Sequence, residues 1–107
     1  MARVSNKERS MALYESILEL KSLDECCAFF DDLCTVGELR AMEQRYDVAL
    51  LLDQGLVYTE ILEKTGASSA TISRVNRCLN YGSGYREALD NLKKAGKLDD
   101  NGSDLGK

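Results

Sequence analysis

The 107-residue chain contains no proline and no histidine, and each absence narrows what it can be. With eight glycines and no proline, it reads as helices joined by short glycine turns rather than as a sheet protein. Without histidine, the commonest general base is missing, and any zinc site would have to be built from cysteine alone. The four cysteines, Cys26, Cys27, Cys34 and Cys78, do not fall into paired Cys-x2-4-Cys spacing, so they read as small hydrophobes on helix faces and no metal is expected. A phosphate-cradling glycine loop is also missing, as is a carboxylate pair away from solvated faces, so an enzyme is not expected. Long apolar runs are absent too. Residues 1–7 offer no signal-peptide core and no stretch approaches a membrane span, which leads us to expect a cytoplasmic protein with reduced thiols and no membrane partner.

Charge is present but unevenly placed. Fourteen lysines and arginines against 18 aspartates and glutamates leave a net charge of −4, an unhelpful sign for a polyanionic partner if it were spread evenly. Residues 22–34 carry Asp24, Glu25, Asp31 and Asp32 with no cation, whereas residues 58–81 carry Lys64, Arg74 and Arg77 against Glu60 and Glu63. A mildly basic segment therefore lies in an acidic chain. A domain this short leaves much of its surface wet, so a core shared with a second copy would help it.

Ser/Thr-x-x-Glu occurs three times where an apolar-periodic segment begins, at Ser5–Glu8, Ser22–Glu25 and Thr35–Glu38. In such a box the hydroxyl accepts an amide of the first turn and the glutamate reaches back to the cap amide. The pattern predicts helices over Asn6–Lys21, Leu23–Cys34 and Val36–Gln54, the last apolar nearly all round at Leu50, Leu51 and Leu52 and therefore buried from several sides. Gly55 suits the end of that helix. Two short helices follow, Tyr58–Thr65 and Ser69–Asn80, then a break at residues 81–84 and a last amphipathic helix over Tyr85–Ala95. The chain is thus one helical domain over residues 1–95, with a frayed tail from Gly96 to Lys107.

Residues 58–79 have the layout of a helix-turn-helix. Gly66 supplies the bend, and Ile61, Leu62, Ile72 and Val75 form the apolar lock. Glycine flanked by apolar residues would also fit any helical hairpin. What the segment adds is a capped, small and polar helix start, Ser68, Ser69, Ala70 and Thr71, of the kind that enters a major groove, with Ser73 and Arg74 one turn in. Arg74 and Arg77 can hold phosphates or, for an arginine, a guanine edge.

Thr35-x-x-Glu38-x-x-Ala41-(x)3-Arg45, followed by Gly66-Ala67-x-x-Ala70-Thr71-Ile72-Ser73-Arg74 and Leu79, resembles the Trp repressor superfamily and in particular its YerC/YecD-type group. The resemblance spans about residues 5–95. It implies an all-α, six-helix fold in an intertwined homodimer, with two reading heads set about one helical turn apart on double-stranded DNA. It also implies a transcriptional regulator, expected to be a repressor, on a pseudo-palindromic operator. The alternative is a helical, dimeric protein-interaction module that has lost sequence-specific reading. The family's two tryptophan-bracketing arginines fall on Arg45 and Arg74. Its ligand-binding members hold glycine at the position of Val75, so L-tryptophan is not expected as co-repressor and any other effector is unidentified. A base-reading arginine is replaced by Thr59, still a candidate DNA contact, a lysine one turn on by Leu62, and a proline by Val36. The operator is therefore expected to differ.

Overall fold

A computed structural model of the chain describes residues 5–98, and these form a 3-10 turn at Asn6–Glu8 followed by six α-helices. The helices are α1 (Met11–Leu18), α2 (Leu23–Leu33), α3 (Val36–Asp53), α4 (Tyr58–Thr65), α5 (Ser69–Tyr81) and α6 (Gly84–Lys94). The fold class is all-α, as expected. No helix among the described residues is long and apolar enough to cross a membrane.

The chain divides into two compact units, Met1–Leu39 and Arg40–Lys107. In the first, the helix expected over Asn6–Lys21 is interrupted. Ser5 accepts the Glu8 N–H through its backbone carbonyl at 3.0 Å, which closes a 3-10 turn, and Ser10 is extended at φ −83°, ψ 96°. Serine is a weak helix-interior residue and α1 begins only after Ser10, which takes the cap conformation without a side-chain cap bond. The other two boxes form. Ser22 Oγ accepts the Glu25 N–H at 3.1 Å, although Glu25 reaches back to the amide of Lys21 rather than of Ser22. At Thr35 the box is complete, with Oγ1 accepting the Glu38 N–H at 3.1 Å and Glu38 accepting the Thr35 N–H at 2.8 Å. That backbone bond, with the hydroxyl adding to it, holds the Glu38 carboxyl below its usual range. Phe29 and Phe30 meet edge-to-face and the Arg9 guanidinium lies over the Tyr14 ring, yet no described residue of this unit is buried. Met11, Tyr14, Leu18, Leu23, Leu33 and Val36 all stand in water, Leu18 at 82% exposure and Leu23 at 78%.

The second unit holds the core. Val48 and Ala49 of α3 pack with Ile61, Ala67, Ile72 and Val75, and a neighbouring cluster joins Leu79, Leu89 and Leu98. The all-round apolar stretch of α3 serves both: Leu51 lies on the first cluster, Leu50 on the second and Leu52 on each. At the end of α6, Gly96 takes φ +74°, its N–H bonding Lys93 O and that of Lys97 bonding Leu92 O. This left-handed close, open to glycine at little cost, turns the chain back. Leu98 is only 6% exposed, and the rest of the segment expected to fray, 99–107, lies outside the described residues.

Candidate nucleic-acid interface

α4 ends where the sequence leaves it no alternative. Gly66 sits at φ +71°, ψ 7° and its N–H bonds Leu62 O at 2.9 Å. A Cβ there would meet nothing within 4 Å, so the position requires glycine for its backbone angle and not for room. The bend is tied down at Thr65. Its hydroxyl donates to Ile61 O at 2.8 Å and accepts the Ala67 N–H at 3.1 Å, while its carbonyl accepts from Gln44 Nε2 at 3.0 Å. Gln44 did not stand out in the sequence, and Ala67 entered only as part of the quoted motif, without a core role. Ala67 is too small to register as a core residue, and Gln44 is polar and 21 residues from its partner.

α5 begins at a true cap. Ser68 Oγ accepts the Thr71 N–H at 3.1 Å and donates to Thr71 Oγ1 at 3.0 Å, so these two hydroxyls are engaged with each other. From there the helix separates into two faces. Ile72, Val75 and Leu79 are buried, whereas Ser69, Ala70, Ser73, Arg74 and Arg77 are exposed. The three buried side chains recur at three- and four-residue spacing, which fixes the rotation of α5 and turns the small polar start outward. The helix carries two arginines and no carboxylate, and Thr59 is exposed on the first turn of α4.

The apolar lock differs from expectation at one residue. Ile61, Ile72 and Val75 are buried, but Leu62 is 44% exposed. One residue is 100° of helix, so with Ile61 facing the core Leu62 turns away from it. The small residue between the two helices is Ala67, which is buried in the core cluster.

Arg45 and Arg74, expected to bracket a ligand, both bear electrostatically on one half-buried group, the Tyr85 phenol. Burial pushes Tyr85 up from its ordinary pKa, Arg45 pulls it back, Cys78 adds to the rise and Arg74 opposes it. The Tyr85 ring lies 6.1 Å from that of Tyr46, itself raised by burial, and packs on both core clusters. Val75 points into the first cluster at 1% exposure. α6 is fastened to the end of α3 by Asp53, which accepts from Arg86 Nη1 at 2.7 Å and Lys93 Nζ at 2.8 Å.

The model of the family described as Trp repressor protein matches residues 8–93. The chain is 55% identical over 83 residues to the protein YerC of Bacillus subtilis, a stretch covering 77% of this chain and 80% of that one. Among solved structures, it is similar to a TrpR-like protein from Eubacterium eligens, with 49% identity, a TM-score of 0.75 and coverage of 82% and 95% of the two chains. It is also similar to a Staphylococcus aureus protein solved as a candidate Trp repressor, with 45% identity, a TM-score of 0.75 and coverage of 81% and 91%.

Proposed function

The chain belongs to the Trp repressor protein family, to its YerC type, and from that membership and the geometry of α4 and α5 we propose that it is a sequence-specific DNA-binding regulator rather than an enzyme. α4 and α5 act as a helix-turn-helix, and a homodimer presents two of them to a pseudo-palindromic operator, where occupancy represses transcription. The observation that carries this reading is the division of α5. Ile72, Val75 and Leu79 are consumed in packing, which leaves Ser69, Ala70, Ser73, Arg74 and Arg77 exposed with small donors, a methyl group and two cations. Such a face suits base edges at the helix start and phosphates further along. Thr59 adds a short hydroxyl from α4. Ser68 and Thr71 contribute mainly by holding the first turn in shape, because their hydroxyls are already paired. The outward apolar residues of α1 and α2 support the dimer.

Tryptophan is not required in this reading. Val75 fills the core beside Arg74 with a side chain, and Arg45 and Arg74 already bear on Tyr85. Selection from random duplexes, run with and without L-tryptophan, tests the proposal. The expected result is one enriched two-part motif, the same in both arms, bound with a steep salt dependence. Arg74→Ala should then weaken that site by about tenfold or more while the protein stays folded, in line with about 1–3 kcal/mol for a good base contact. A selection that enriches no motif would overturn DNA reading, and one that enriches only with tryptophan would overturn effector independence.

A further inference from the structure

We propose that Gln44 is a positioning residue for the reading helix: its side-chain amide, bonded to Thr65 O, fixes the α4–α5 bend on α3 and thereby sets the direction in which α5 presents Ser69, Ala70, Ser73 and Arg74. This rests on the reading of α5 as the DNA-contacting helix, but the latch itself can be tested without DNA.

Thr65 O is one of the last carbonyls of α4, which a helix leaves without an internal partner. Gln44 Nε2 supplies that partner at 3.0 Å, across 21 residues of chain and in a half-buried setting. Only the amide nitrogen can donate to a carbonyl, so chemistry settles which way the Gln44 side chain faces. The Thr65 hydroxyl extends the tie in both directions, back to Ile61 O of α4 and forward to the Ala67 N–H. Ala67 is buried in the core cluster, and the next residue, Ser68, is the cap of α5. Three bonds at one residue therefore connect α3, α4 and the approach to α5.

The cluster of Val48, Ala49, Ile61, Ile72 and Val75 holds α5 against the core, but apolar packing is non-directional and leaves small rotations cheap. A hydrogen bond is directional and loses its value over a few tenths of an ångström and tens of degrees. Base-edge contacts made by short side chains are equally demanding, whereas arginines reach phosphates through long, adaptable side chains. Loosening the bend should consequently harm base reading more than non-specific binding.

The test uses Gln44→Met, which keeps length and helix preference and removes the side-chain amide that donates to Thr65 O. At a temperature well below melting, backbone order parameters should fall over residues 66–71, while Val48 and Ala49 on α3 stay rigid. Affinity for the selected site should drop about fivefold, the equivalent of one lost net hydrogen bond, with non-specific affinity and its salt slope unchanged. A merely structural role would lower the melting temperature and leave order and the specific-to-non-specific ratio as in the parent, and that outcome overturns the proposal. Because the variant could lose its fold, the parent protein is measured too: the Gln44 side-chain amide protons should be protected from exchange and show coupling through the hydrogen bond to the Thr65 carbonyl. Unprotected, uncoupled protons overturn the latch whatever the variant does. Should the protein bind no DNA at all, the order parameters and the coupling still decide the latch, so the two readings fail separately.

Discussion

At the scale of single residues, Asp53 shows how one side chain fixes an element. Its carboxylate is only 9% exposed and accepts from both Arg86 and Lys93, which ties α6 to the end of α3. Burial alone would raise its pKa, but the two cationic donors outweigh burial and hold the carboxyl below the ordinary aspartate range. A carboxyl depressed in the folded state stabilises fully above its unfolded pKa of about 4, and that contribution fades as pH falls through the folded value. Asp53→Asn should therefore cost about 2 kcal/mol near pH 7, where it leaves two cations without their counter-charge. The gap from the parent should narrow below about pH 4 and close once Asp53 itself is protonated. Glu38 is depressed as well, but it is common to both proteins and cancels in the comparison. Paired urea titrations from pH 7 to pH 2 check this, and a gap that stays constant with pH would rule out the charge as its origin.

At the scale of elements, α5 depends on its cap in a way that separates stability from recognition. Ser68 Oγ takes the Thr71 N–H, whereas Ser73 lies exposed one turn on. Ser68→Ala should cost about 1 kcal/mol and speed exchange of the Thr71 amide. Ser73→Ala should leave stability nearly unchanged and alter the bases preferred by the selected site; if both substitutions destabilised equally, the cap would not be what starts α5. Much of this element was legible in the chain. Gly66 and the residues Ser68 to Thr71 locate the bend and the helix start, because glycine geometry and hydroxyl capping act over a few residues. Direction was harder to read. Leu62 is as apolar as Ile61, and only the packed rotation of α4 shows that one faces the core and the other water. The core role of Ala67 and the tie made by Gln44 were hidden for opposite reasons, one residue lacking bulk and the other acting through a distant backbone carbonyl. The first predicted helix failed at Ser10, where periodicity ran on but the backbone took the cap conformation instead.

At the scale of the whole molecule, the distribution of buried surface argues for a second copy. Arg40–Lys107 contains both core clusters, but Met1–Leu39 has no buried residue among those described, and its helices hold Met11, Tyr14, Leu18, Leu23 and Leu33 toward solvent. An amphipathic helix draws most of its stability from burying its apolar face, and helices of eight and eleven residues are too short to persist in water by themselves. Homodimerisation would supply the missing cover, since an identical chain brings the same apolar faces. Folding would then be coupled to association, and apparent stability should rise by about 1.4 kcal/mol per dimer for each tenfold increase in concentration. Replacing Leu18 and Leu23 together with glutamate should abolish that concentration dependence and lower the melting temperature. The first unit of the variant should lose helicity, while the clusters around Ile72 and Leu89, whose named members lie within Arg40–Lys107, keep their packing. Light scattering with melting curves over a hundredfold range of concentration decides the matter. A parent protein that stays monomeric and melts at one temperature throughout would show that the apolar faces of α1 and α2 need no second chain.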